Sequence, residues 1–395
     1  MATKKNARSG FYFFHRPQLD NPSTKHAPRG APIPVLAGSA SIGVEMAIHP
    51  DDEMYQFAFQ RLGSVSLARR QYARQGLRIA TTFGRIAEWC FPGAHAPTVL
   101  DFASGHGRAT RFLAAHLGAE RVWASDIKDD AVSFCQSTIG VGGFTSTARP
   151  EDLEVVPRFD LIVVSSLFSH LPRHLFHGWL ARLAALLEPG GVLAFSVHGS
   201  EMVDPSLMPA DGYLFVAESE SRVLNADLYG TAYVTTGFVT GAVQAAFGSA
   251  IHMRCLPKGL CGAQDLYVVS RDPARRVEAL PLLAEPVGYV DVCVLTPGGH
   301  LHVTGWAGTH DPGDQLQWVT LELDGVRIAS SSAQLHRPDV SAVLGNPALE
   351  RSGFDVRIGI HPPFTGDRLL EAKARTLRGA EDVLLASSLA DLLEG

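Results

Sequence analysis

The chain has 395 residues, more than the roughly 250 to 300 that one hydrophobic core sustains, so two domains are expected. Hydrophobic residues make up 46% and charged residues 19%, the composition of a folded globular protein and not of a disordered one. A formal net charge of -6 excludes a general basic field for nucleic acid, and five scattered cysteines without a CxxC pair exclude a disulfide framework or a zinc ribbon.

In chain order, residues 1–48 read as a flexible Pro-rich leader. Pro17, Pro22, Pro28, Pro32 and Pro34 stand among scattered Lys and Arg, a mixture that buries too little surface to offset ordering. The cluster Phe11, Tyr12, Phe13 and Phe14 is the exception. It is a candidate docking element for the body of the protein or for a partner subunit, which keeps a homo-oligomer among the expected partners. The first twenty residues hold no apolar signal core, and no later run approaches the roughly 18 apolar residues of a membrane span. Together with the cysteine pattern this predicts a cytoplasmic protein with neither membrane nor nucleic acid as partner.

Residues 49–273 read as one α/β domain. Within 49–92, Leu62, Val65, Leu67, Leu77, Ile79, Ala80, Phe83, Ile86 and Trp89 recur at three and four, predicting cap helices that Pro92 and Gly93 end. Short β-branched runs (TVLDFA, RVWASDI, FDLIVVSSL, VLAFSVHG) then alternate with helical segments of ten or more residues (RATRFLAAHL, DDAVSFCQSTI, HLFHGWLARLAALL). Such alternation predicts parallel strands joined by crossovers: a doubly wound, mostly parallel seven-stranded sheet, with 211–243 and 265–270 completing it. From 285 to 390 the pattern changes again. Runs such as YVDVCVL, HLHVTGWA, QWVTLELDGVRIAS and GFDVRIGI are divided by turn residues, including a hairpin signal at Asp324-Gly325, and predict a small all-β sandwich.

The chemistry concentrates in Val99–Thr110, where an apolar strand ends in Asp101 and a glycine-bearing turn opens the next helix. Glycines there let backbone approach a ligand over the carboxyl edge of the sheet. Thr110 stands where a dinucleotide fingerprint has its third glycine, and no phosphate-loop lysine follows. The turn therefore suits a cofactor with a cationic amino acid end and no pyrophosphate.

On these residues the segment from about Asp51 to Arg271 resembles the class I S-adenosylmethionine-dependent methyltransferases. Asp101 through Gly107 match that family's first motif, with Ala103 in place of its usual first glycine. Asp126, in Val122-Trp123-Ala124-Ser125-Asp126-Ile127, matches the acidic residue that ends its second strand. Phe159–Phe168 and Leu187–Leu193 resemble its fourth strand and the turn into its fifth. The resemblance implies S-adenosylmethionine as cofactor, held by Asp101, Ala103, Ser104, Gly105 and Gly107 at the methionyl part. It implies Asp126 on the ribose hydroxyls, Ile127 and Asp152 toward the adenine, and Ser165 after the fourth strand. Tyr72 and Gly76 resemble cap segments that close over the amino acid end. The C-terminal block, with Trp306 either buried in its core or offered as a sugar-stacking platform, resembles small β-sandwiches beside bacterial glycan-pathway enzymes.

Methyl transfer needs a nucleophile held in line with an already reactive sulfonium, so positioning does most of the work. A hydroxyl acceptor adds the need for a base, and two histidines follow the carboxyl edge: His170 after strand four and His198 after strand five. The expected function is O-methylation of a small molecule or a glycan intermediate. The alternative is a glycan-binding or scaffolding protein with a non-catalytic methyltransferase-like domain; an NAD-dependent oxidoreductase is disfavoured by the absent third glycine. No metal is expected, although His170, His174 and His177 share a helical face and His300 and His302 a strand face.

Overall fold

The computed structural model describes residues 33–35, 42–45, 47–93, 96–154, 157–217, 228–280, 286–309, 313–323, 326–361, 369–389 and 392. The leader's aromatic cluster and the Asp324-Gly325 turn lie outside them. The chain divides into two compact units: 1–52, 87–254 and 267–278 form the first, and 53–86, 255–266 and 279–395 the second.

The elements in order are β1 (Ile33–Val35), β2 (Ile42–Val44), α1 (Glu53–Leu62), α2 (Val65–Cys90), β3 (Val99–Phe102), α3 (Thr110–Leu117), β4 (Val122–Asp126), α4 (Asp129–Phe134), β5 (Gly142–Thr145), β6 (Phe159–Val164), α5 (Arg173–Ala185) and β7 (Leu187–Gly199). Then come β8 (Tyr213–Val216), β9 (Thr231–Val234), α6 (Thr236–Phe247), β10 (His252–Leu260) and β11 (Gln264–Ser270). The main sheet runs β10-β11-β7-β6-β3-β4-β5, a path of seven strands. A ribbon of β8 and β9 attached to the end of β7 brings it to nine. Pairings of β3 with β4 and β6, of β4 with β5, and of β6 with β7 are parallel. The middles of these strands are apolar because helices cover both faces: Val99, Leu100, Leu161, Ile162, Val163, Val164, Leu193 and Ala194 have no exposed surface.

Strand order reverses at β3, which has β4 on one side and β6 on the other. Crossovers leaving in opposite directions open a crevice outside that strand's carboxyl end, where ligands bind in open α/β sheets. The doubly wound sheet expected from the sequence is therefore present, with its glycine turn at the switch point.

The second unit contains β12 (Val287–Leu295), β13 (His300–Gly308), β14 (Leu316–Leu323), β15 (Val326–Ser331), α7 (Pro338–Leu344), β16 (Gly353–Gly359), β17 (Leu369–Thr376) and β18 (Glu381–Ser388). Two antiparallel sheets, β12-β13-β16 and β15-β14-β17-β18, close on one core of Leu301, Val303, Val319, Leu321, Phe354, Leu370 and Ala372. Pairing of Leu323 with Val326 flanks the expected hairpin turn. Leu301, Val303 and Ala307 of β13 are buried, so period-two alternation puts the half-buried Trp306 on the opposite face, paired across β12 with the exposed Tyr289. No helix among the described residues is long and apolar enough to cross a membrane.

Candidate cofactor and acceptor site

The turn after β3 is shaped by three left-handed residues: Ala103 (φ 61°), Gly105 (φ 55°) and Gly107 (φ 77°). Left-handed backbone suits glycine, so Ala103 carries strain of about 1 kcal/mol where the family's first glycine is missing. A Cβ added to Gly105 would meet nothing within 4 Å, whereas one on Gly107 would lie 2.4 Å from Ile139 Cδ1 and 2.9 Å from Cys135 Sγ. The turn is thus pressed against the helix that follows β4 on one side and open at Gly105 on the other.

Asp126, at the end of β4, is tied into this turn. One carboxylate oxygen accepts the Gly105 N–H (2.8 Å) and the other the Lys128 N–H (3.0 Å), while the Ser104 N–H bonds the Ser125 carbonyl (3.0 Å). A carboxylate offers about four lone-pair sites, so two remain for a ligand's hydroxyls. Burial raises the Asp126 carboxyl above its ordinary value, and the two backbone N–H groups pull the other way. Asp101 is buried and accepts the Thr110 hydroxyl at 2.6 Å. Burial first, then the nearby Asp126 charge, pushes it up to about 7 against the Thr110 bond, so a cationic group arriving beside it would favour its ionised form. An open backbone cradle, carboxylate lone pairs and an anionic partner for an ammonium are what a sulfonium nucleoside amino acid requires, and the site fits that cofactor.

Of the other expected residues, Ile127 is half-buried beside Asp126, Ser165 is half-buried just past β6, and Asp152 is exposed in a single helical turn, Pro150–Asp152. Tyr72 and Gly76 are buried in α2 with the second unit, where the Tyr72 ring meets that of Tyr55 edge-on at 6.2 Å.

At the same sheet edge, the turn after β6 is pinned by Ser196 Oγ, which accepts the N–H of left-handed Ser166 (φ 63°) at 3.0 Å. It is zipped to the start of β9 as well: the Gly230 N–H bonds the His170 carbonyl (2.8 Å) and the Ala232 N–H the Ser169 carbonyl (2.7 Å). His170 is buried. Its Nδ1 lies 2.7 Å from the Gly230 carbonyl, and its ring stacks on Tyr229 at 4.7 Å. A carbonyl only accepts, so Nδ1 carries the proton, and in the neutral ring Nε2 is the acceptor nitrogen. His198, at the end of β7, meets His170 edge-on at 5.8 Å and is pushed down to about 4 by burial and by the neighbouring His170. The two expected histidines are together.

His174 is exposed, the half-buried His177 is lowered by burial and by Arg173, and His302 pairs with Asp355. Sequence reasoning missed Tyr229 and Tyr233, which pack on the two histidines, and also Arg111. The Arg111 guanidinium, 2% exposed, gives Nε to the Gly107 carbonyl (2.9 Å), Nη2 to that of His106 (3.1 Å), and Nη1 to those of Glu45 (3.0 Å) and Ala47 (2.7 Å). An arginine one helical turn beyond Gly107 was the available signal.

A doubly wound sheet with a glycine turn at its switch point and a carboxylate ending the neighbouring strand is an arrangement in which open α/β sheets bind nucleoside cofactors. Residues 99–191 match the family model described as a methyltransferase domain. This match marks the chain as a methyltransferase with S-adenosylmethionine as methyl donor.

Among solved structures, DesVI of Streptomyces venezuelae is similar at 14% identity over 50% of this chain and 92% of its own (TM-score 0.36). CalS10 of Micromonospora echinaspora, an amino pentose methyltransferase, is similar at 16% over 52% and 95% (TM-score 0.39). An O-methyltransferase family 2 protein of Planctomyces limnophilus, in complex with apigenin, is similar at 17% over 57% and 63% (TM-score 0.39). A search of curated proteins gives no match.

Proposed function

We propose that this methyltransferase acts on a hydroxyl of a small molecule or a glycan intermediate, with His170 as the base. The supporting observation is the hydrogen bond from His170 Nδ1 to the Gly230 carbonyl at the carboxyl edge of the sheet, which fixes the ring and makes Nε2 the basic nitrogen of the neutral imidazole. Bound in the glycine turn, S-adenosylmethionine supplies an electrophilic methyl on a sulfonium sulfur. In this reading Asp126 accepts the ribose hydroxyls and Ile127 and Asp152 flank the adenine. Asp101, with Ala103, Ser104, Gly105 and Gly107, holds the amino acid end. Ser165 completes the contacts.

The acceptor's O–H gives its proton to His170 Nε2 as its oxygen takes the methyl, and the C–S bonding pair stays on sulfur. The resulting imidazolium keeps its Nδ1 bond to Gly230. His198, pushed down to about 4, is too weak a base for this role near neutral pH and serves as an uncharged neighbour of His170. Calorimetry with S-adenosylmethionine and S-adenosylhomocysteine, followed by a mass search of acceptor extracts for a gain of one methylene, tests the reading. His170→Gln is expected to keep cofactor affinity and to lose about 100-fold or more in turnover. An unchanged rate would remove His170 as the base, and products methylated on nitrogen or carbon would remove the hydroxyl acceptor.

A further inference from the structure

On the side of the glycine turn toward the leader stands a cluster that the methyltransferase chemistry does not use. His49, from the segment after β2, stacks on His106, the residue between Gly105 and Gly107, at 4.4 Å and 8°. His106 Nε2 lies 3.3 Å from Asp130 Oδ2 at the start of α4. One donor atom from each of the three lies within 4.8 Å of the others. Among the described residues this is the one such group of three.

We infer that His49, His106 and Asp130 form a binding site for a divalent transition metal of the zinc class, which fastens the segment carrying His49 over the cofactor turn. Two imidazoles and a carboxylate are the borderline donors such ions take. The donors come from three separate stretches of chain whose backbones are already held. Arg111 binds the carbonyls of Glu45 and Ala47 beside His49 with the same guanidinium that binds those of His106 and Gly107. Preorganised backbone lowers the ordering cost of a chelate. Phe134 stands edge-on to both rings, at 5.3 Å from His49 and 6.1 Å from His106, and gives the polar donors an apolar wall. Parallel rings cannot aim two lone pairs at one ion, so binding turns one imidazole out of the stack. His49, half-buried where His106 is 3% exposed, has the room to turn. Because His106 belongs to the turn that holds the cofactor, metal and cofactor affinities are coupled, and reciprocally so.

The test is a titration of the full, chelator-treated chain with Zn²⁺ by calorimetry and with Co²⁺ by visible absorption. His49→Ala, Asp130→Asn and, as a surface control, His302→Ala are titrated alongside. One saturable equivalent is expected, weakened more than about tenfold in His49→Ala and in Asp130→Asn and unchanged in His302→Ala. In the unmutated chain, Zn²⁺ should shift the imidazole resonances of His49 and His106, a readout that does not depend on how any variant folds. No saturable equivalent, equal affinity in all three variants, or unmoved His49 and His106 resonances would overturn the assignment.

Discussion

Asp126 and Asp101 sit at the ends of adjacent strands and do different work. Asp126 faces backbone N–H groups that satisfy half of its accepting capacity, so it can bind a diol without moving. Replacing it with Ala would remove the two charge-assisted bonds of the proposed ribose contact and would also free the Gly105 N–H. S-adenosylmethionine affinity is expected to fall by about 100-fold with the far-ultraviolet spectrum retained, and calorimetry on Asp126→Ala would expose an error as an unchanged Kd. Asp101 and His198 make a pair of opposite sign in pH. Asp101 is raised from 3.8 to about 7, so the folded state binds its proton more tightly than the unfolded state does; its contribution to stability is present at low pH and lost as pH rises through 7. His198 is lowered from 6.5 to about 4, so its contribution is present above 6.5 and lost as pH falls toward 4. Between about pH 4 and 7 the two slopes oppose. Urea unfolding across that window should show stability of His198→Gln declining with rising pH relative to the parent, and that of Asp101→Asn rising. Parallel curves for the two variants would contradict the burial argument.

At the level of elements, the strands of the main sheet were legible because burial on both faces forces short apolar, β-branched runs, and the crossover helices because the segments between those runs repeat apolar residues at three and four. The positions of Asp101 and Asp126 followed, since a carboxylate ending an apolar run can only stand at a strand's carboxyl edge. What could not be read is how the glycine turn is held from behind. Arg111 acts through four carbonyl oxygens, and carbonyls are the same in every residue. The same clamp joins the stretches that carry His49 and His106, which lie far apart in the chain. Tyr229 was hidden because its partner is a ring on a loop, which has no period to reveal it. Gly107 limits what the turn tolerates: its φ of 77° is one that alanine disfavours, and a methyl there meets Ile139 and Cys135 of the short π-helical turn Cys135–Ile139. Gly107→Ala is expected to lower stability by about 2 kcal/mol or more in urea unfolding. Gly105→Ala meets open space and should lower it by only about 1 kcal/mol, from its φ alone.

For the molecule as a whole, the second unit is assembled from three stretches that the sequence keeps far apart, 53–86, 255–266 and 279–395. Local periodicity reports a helix or a strand but says nothing of which others it joins, so this grouping was not available from the residues in order. One buried junction within the unit shows how it is held. Asp382 of β18, 10% exposed, takes Arg78 Nε at 2.8 Å and Arg74 Nη2 at 3.2 Å, linking the long helix α2 to the edge of the four-stranded sheet. Two guanidiniums that converge on one carboxylate out of water depend on its charge, because removing one partner of a buried pair leaves the others uncompensated. Asp382→Asn keeps the shape and deletes the charge. It is expected to lower stability by about 3 kcal/mol, measured by urea unfolding, while Asp355→Asn on an exposed His–Asp pair of the same unit should change it by less than about 1 kcal/mol. A chain ending at residue 279 would lose Asp382 altogether and is expected to unfold at lower temperature than Asp382→Asn. If that shortened chain proved as stable as the full one, α2 would not depend on the β-rich block, and the junction at Asp382 would be a surface contact of little consequence.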